Sequence, residues 1–301
     1  MNFVLEHSIA SQTLEAMLGQ QPPEFLYHYT NPEGLIGILK SKELWATNID
    51  YLNDSHEIDY CVEYIKSTIE YMMEGDGGHQ SVKAFLKESL SFVGSASKVY
   101  YLTSLSEEAD SLPQWRAYCP NGGYALGISS KYLAKISAAQ GFRLVKCCYD
   151  YVTMQIVVSE WIEFFASKFK NALEKGVSEE TAATEVAWQF GQHVARFGST
   201  FKHPSFKEEV EWRILSESIN DQNEKIEFRV RDGIIIPYFR ISLVTSDLPK
   251  LYYSIDDFSS IVVRCGPFNK TPRSQLTVQS LLSRYLQGGA YGPSNIPYKM
   301  K

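Results

Sequence analysis

The sequence predicts an α+β fold, because strands dominate its second half without alternating regularly with helices. No repeat, low-complexity tract or Pro/Gly/Ser linker divides the chain, so residues 1–301 read as a single domain with a helical insertion at about 154–197. At 301 residues such a domain buries about three-quarters of the surface its unfolded chain exposes, enough for a core without staples.

Residues 8–18 read as a peripheral helix. Phe25-Leu26-Tyr27-His28-Tyr29 follows as a strand, broken by Asn31-Pro32, where Asn31 caps a helix and Pro32 takes its first position. That helix runs through Leu35, Ile36 and Leu39. A strand around Leu44-Trp45-Ala46-Thr47 leads into Asn53-Asp54-Ser55-His56-Glu57 and an amphipathic helix to about Met73, ended by Gly75-Asp76-Gly77-Gly78. Further strands are expected at 98–106, 122–128, 142–150, 208–216, 225–231, 234–244 and 259–264. Helices are expected near 80–92, 154–174, 179–197 and 272–287.

Composition narrows the function classes. A 44% apolar and 21% charged chain is an ordinary folded protein, and a formal charge of -6 disfavours non-specific binding to nucleic acid. Charge is uneven, however: beyond Asp257 there is no acidic residue, while Arg264, Lys270, Arg273, Arg284, Lys299 and Lys301 follow, either as a solvated surface or facing a phosphate. Cys61, Cys119, Cys147, Cys148 and Cys265 form no C-x-x-C pair and are expected as reduced core thiols, with no metal bound. The segment Met1–His7 lacks the basic region and apolar core of a signal peptide, and no window approaches the roughly 18 apolar residues of a spanning helix. A cytoplasmic protein without a membrane partner is therefore expected.

Several constellations can carry chemistry. Tyr27-His28-Tyr29-Thr30 sits at a strand end before a capped helix, where free N–H groups and a partial positive charge suit a diphosphate or ribose; a satisfied strand-end histidine is the alternative. On the strand Val99–Ser106, alternation places Tyr100, Leu102, Ser104 and Ser106 on one face, as ribose-positioning hydroxyls or ordinary cross-strand partners. In Glu209-Val210-Glu211-Trp212-Arg213-Ile214, Glu209, Glu211 and Arg213 share a face opposite Val210, Trp212 and Ile214. The two carboxylates serve one substrate or belong to an exposed salt-bridged face. Asn53-Asp54-x-x-Glu57 reads as a capping box that leaves Asn53 unexplained, or as a metal or nucleotide site. Trp115 and Tyr118, three apart on one helical face, wall a planar ligand or pack the core.

Taken in order, these five motifs resemble the bacterial domain-of-unknown-function family 2971 from about Phe25 to Lys301. They also resemble, more distantly, ADP-ribosyltransferases, whose NAD site combines three strand motifs: an Arg or His followed by Gly-Ser/Thr, a Ser or Tyr, and a Glu. His28-x-Thr30, Thr103-Ser104-x-Ser106 and Glu209-x-Glu211 are similar to these, with Tyr29 in place of the usual glycine and the serine motif offset.

The second resemblance implies a split mixed or antiparallel sheet and NAD as co-substrate, with Glu211, Glu209 and His28 as the catalytic residues. His28, Tyr29 and Thr30 would hold the adenosine ribose and diphosphate, and Ser104 with Ser106 would support Glu211. Tyr101, Trp115 or Tyr118 would stack on nicotinamide, and Asn53 and Arg213 complete the implied contacts. It further implies a toxin or phage-defence effector that modifies a macromolecular acceptor or hydrolyses NAD. Two other classes stay open. One is a metal-dependent nuclease or phosphodiesterase using Asp54, Glu57, Glu209 and Glu211. The other is a non-catalytic nucleotide sensor or protein-binding module, the latter using surplus aromatics such as Trp161, Phe164, Phe165 and Phe169.

Overall fold

The computed structural model describes residues 12–52, 55–74, 79–94, 100–219, 223–244, 261–268, 271–286 and 289–297, without the side chains of 55–58 and 79–80. In chain order the elements of its first half are α1 (Gln12–Leu18), β1 (Phe25–Thr30), α2 (Pro32–Ser41), β2 (Glu43–Asn48), α3 (Ser55–Glu74), α4 (Lys83–Phe92), β3 (Tyr101–Ser106), α5 (Leu112–Tyr118), β4 (Tyr124–Ser129), α6 (Ser130–Ala139) and β5 (Phe142–Lys146). Then follow α7 (Tyr151–Glu174), α8 (Glu179–Gly198), β6 (Glu211–Ser216), β7 (Ile226–Arg231), β8 (Ile234–Ser242), β9 (Val262–Cys265), α9 (Pro272–Leu286) and β10 (Ala290–Pro293). The chain divides into two interleaved compact units, one of residues 1–20, 49–100 and 147–206, the other of 21–48, 101–146 and 207–301.

The first unit is helical. Asp150 caps α7 by accepting from the Thr153 N–H at 2.7 Å, and Ser178 caps α8 by accepting from the Thr181 N–H. Trp161, Phe165 and Phe169 on α7 are all buried. Phe169 stacks on Phe85, Phe165 meets Phe190 edge to face at 5.4 Å, and Trp161 lies nearly parallel to Phe201 at 5.6 Å. The aromatic surplus of α7 is thus consumed inside the unit, as an internal helical hairpin requires, with Phe164 half-buried against Phe165.

The second unit is built on a mostly antiparallel open sheet, in the order β10-β9-β4-β1-β3-β2-β8-β7, with β6 on β3 and β5 on β6. Only β9 and β10 pair in parallel among the described strands. Pleat parity gives the sheet two unlike faces. Leu26, Ala46, Leu105, Leu126, Trp212, Ile214, Phe239 and Val263 point into a continuous apolar core closed by Leu35 and Leu39 of α2, Leu133 and Ile136 of α6, and Val278 and Leu282 of α9. The opposite face carries Tyr27, Tyr29, Ser104, Ser106, Glu211 and Arg213, as the pairings Tyr27↔Ser106, Ser106↔Glu211 and Ser104↔Arg213 require. There α5 packs Trp115 and Cys119 against Tyr29 and Ala125.

One edge of β3 is shared. Ser106 pairs with Tyr27 of β1, whereas Leu102 and Tyr101 pair with Thr47 and Asn48 of β2, so the sheet parts beside the middle of β3. The split lies where β1 leaves for β4 and β2 leaves for β8.

Some expected boundaries move for identifiable reasons. The strand expected at 142–150 stops at Lys146, because Cys148 exchanges main-chain bonds with Thr200 and Lys202 instead. The strand expected from 208 starts at Glu211, because Val210 takes a left-handed φ of 37°. Helix α6 and strand β10 were not anticipated. All five cysteines are free and buried, as expected of core thiols. No helix among the described residues is long and apolar enough to cross a membrane.

Candidate functional site

A small cleft opens at the sheet split; its 340 Å³ of empty space includes open solvent at the mouth, and the room inside for the centres of water-sized spheres is about 50 Å³, below the range of small-molecule sites. Strand β1 contributes Tyr27, His28 and Tyr29, β3 contributes Ser104, Leu105 and Ser106, and α5 contributes Gln114 and Tyr118. Glu209, from the 3₁₀ turn Pro204–Glu209, and Glu211, from β6, complete the lining.

The imidazole of His28 fills the split. Its Nδ1 lies 3.0 Å from the Ser104 carbonyl oxygen, an oxygen that a continuous neighbouring strand would have satisfied. A carbonyl only accepts, so Nδ1 carries the proton and Nε2 of the neutral ring keeps a free lone pair. Burial drives the His28 pKa below its ordinary value, and the nearby Arg229 guanidinium adds to that, against the Ser104 bond that favours the charged form. His28 is therefore a neutral hydrogen-bond acceptor at physiological pH.

Ser106 is locked rather than free: its Oγ donates to the Glu209 carbonyl at 2.8 Å and accepts from the Glu108 N–H at 3.1 Å. It fixes the approach of the Glu209 segment to β3. Val210 then bends the chain in a conformation that β-branched residues seldom adopt, at a cost of order 1–3 kcal/mol.

Glu211 and Arg213 are 4% and 3% exposed, so the exposed ion-pair face considered for them is replaced by a buried one. Strand β6 is interior to the sheet, paired on its two edges with β3 and β5. Arg213 grips Glu211 through Nε to Oε1 at 2.7 Å and Nη2 to Oε2 at 3.1 Å. This fork of charge-assisted hydrogen bonds holds the carboxylate in one orientation. Arg213 itself does not line the cleft.

Tyr27 owes its position to a missing side chain. A Cβ on Gly127, directly opposite on β4, would fall 2.5 Å from Tyr27 Cε1, so the ring lies across bare backbone. Tyr29 is tied down by its hydroxyl, which donates to the Glu108 carbonyl and accepts from the Ser111 N–H. Burial pushes its phenol pKa well up.

The structure therefore brings together His28, Tyr29, Ser104, Ser106, Tyr118, Glu209 and Glu211 of the residues expected from the sequence. Others go elsewhere. Tyr101 is 2% exposed in the apolar core, because odd positions of β3 face away from Ser104 and Ser106. Trp115 is fully buried against Tyr29 and donates its indole N–H to Asp110, so the cleft side of α5 is Gln114/Tyr118, four apart, rather than Trp115/Tyr118. Thr30 does not line the cleft; its carbonyl accepts from Cys119 Sγ. Asn53 and Asp54 lie outside the described residues, as does the side chain of Glu57. Among the described residues no group of His, Cys, Asp or Glu is arranged to hold a metal ion.

A family model described as Protein of unknown function (DUF2971) matches residues 114–214. The match is narrower than the span from Phe25 to Lys301 expected from the motifs. Within the DUF2971 segment fall Gln114, Tyr118, Glu209, Glu211 and Arg213, whereas His28 and Ser104 precede it. No curated protein and no solved structure matches the chain.

Residues not anticipated from the sequence complete the picture. Gln114 lines the cleft, as does Tyr27 of the strand-end constellation. Arg229 of β7 donates from Nη2 to Thr47 Oγ1 at 2.7 Å and lies over the Trp45 and Tyr238 rings, with no carboxylate partner among the described residues. Its signal in the sequence was only the alternation of β7, which sets Arg229 on the same face as Thr47 and Ser104.

Proposed function

We propose that the cleft receives the nicotinamide–ribose end of NAD and that the protein transfers ADP-ribose to a nucleophile or to water. The observation that carries this reading is the convergence of His28, Ser104, Glu209 and Glu211, from three distant segments, on one cleft at a parted sheet. That arrangement supports an ADP-ribosyltransferase-like split sheet, a likeness that rests on these residues alone.

In this reading the bond between ribose C1′ and the pyridinium nitrogen breaks, its electron pair leaves with neutral nicotinamide, and the sugar passes through an oxocarbenium-like state. Glu211 accepts from a ribose hydroxyl and places negative charge beside the developing cation, while Arg213 holds it in position. Glu209, on its separate turn, takes the proton of the incoming nucleophile. The lone pair of His28 Nε2 accepts from a second ribose hydroxyl. Arg229, whose charge already reaches His28, offers the cation that a diphosphate requires. No step needs a metal.

The test is incubation of the purified protein and cell extract with adenine-labelled NAD, separating free nicotinamide, ADP-ribose and labelled macromolecules. Nicotinamide release resistant to EDTA is expected, with a loss of about 100-fold or more in Glu211→Gln. Expression in growing cells should be toxic, as the toxin or defence role implies, and Glu211→Gln should relieve it. Absence of nicotinamide release by the wild-type protein, with extract present, overturns the proposal.

A further inference from the structure

Gln114 lines the cleft and is 6% exposed, yet its side-chain amide makes no hydrogen bond among the described residues. Nor is it among the fully sealed side-chain atoms that lack a partner, so the amide opens on the free space that it borders. A buried amide left unpaired is unfavourable, and native proteins satisfy such groups with water or ligand. Tyr27 and Tyr118 border the same space and offer ring faces to a flat ligand.

We infer that Gln114 is the specificity-determining residue of the cleft, and that it selects an uncharged primary carboxamide on a heteroaromatic ring over the corresponding carboxylate. An amide presents one donor and one acceptor side by side, which a second amide answers at once and an ionised carboxylate, acceptor-only, does not. A ring carboxylate would set oxygen against the Gln114 oxygen, with Glu209 and Glu211 adding negative charge from the same cleft. This deepens the nicotinamide reading of the cleft and rests on it for the identity of the ring.

Binding of nicotinamide and of nicotinic acid is measured by ligand-detected NMR and calorimetry on wild-type protein, Gln114→Met and Gln114→Glu, alongside NAD turnover. Wild type is expected to prefer nicotinamide by about tenfold, the scale of one amide pairing made or lost. In Gln114→Met, which keeps the side-chain length and removes the unpaired amide, the preference should fall several-fold, to the part that Glu209 and Glu211 supply, without loss of thermal stability. In Gln114→Glu nicotinic acid should bind more weakly still.

An unchanged preference in folded Gln114→Met overturns the inference even where NAD is consumed. A Gln114-dependent preference in a protein that never consumes NAD keeps the inference and removes the transferase reading. Failure of the wild type to bind either ring removes both.

Discussion

The helical unit and the sheet unit bury large side chains for opposite ends. Around Phe85, Phe165, Phe169 and Phe190, rings pack on rings and gain by dispersion. On the polar face of the sheet, burial falls instead on Glu211, Arg213, Ser106 and Gln114, groups whose desolvation costs free energy unless each finds a partner. The first arrangement is what a sequence adopts for stability. The second is a departure from it, and such departures cluster where a protein meets a ligand.

The contrast can be broken most strongly from the dry side. Trp161→Ala should destabilise the chain by about 3–5 kcal/mol, read by urea unfolding, while leaving the chemistry of folded protein unchanged. The polar side offers a sharper test. Glu211→Leu alone should cost about 3 kcal/mol or more by stranding the Arg213 charge, whereas Glu211→Leu with Arg213→Met should recover nearly all of it. Recovery of stability without recovery of activity would mark the pair as kept for the site; a double variant as unstable as the single would make it structural.

Between these lies Gly127→Ala, whose new methyl meets the Tyr27 ring. A loss of about 1–3 kcal/mol is expected, together with a narrowed cleft and weaker nicotinamide binding. Asn31→Ala removes the cap that accepts from the Gly34 N–H at 2.7 Å and should cost about 1 kcal/mol with ligand binding intact.

The smallest effect is that of pH. The folded His28 pKa is depressed, so the unfolded chain takes up a proton first as pH falls below about 6.5, and stability declines with it. That contribution is complete above the unfolded value, and His28→Gln should show a shallower decline between pH 7 and 5 in the same urea titration.

The punctuation and alternation of the sequence were enough to locate much of this. Asn31-Pro32 marks the start of α2, and the alternation through Glu211, Trp212 and Arg213 assigns their faces. Alternation puts Glu211 and Arg213 on one face but does not say whether that face is covered, so their burial is legible only in the fold. Tyr101 and Trp115 misled because an aromatic ring suits a core and a ligand equally well. Gln114 carried no charge and no motif to notice. Strand β10, with Gly292 and Pro293 among its four residues, has little β propensity of its own and is held by pairing with β9.

The left-handed bend at Val210 places a joint between two acids that the sequence writes almost side by side. Glu211 is anchored in the middle of a sheet, whereas Glu209 rides at the end of a short turn on the far side of the joint. The group that would hold the sugar and the group that would meet its attacker thus answer to different parts of the backbone.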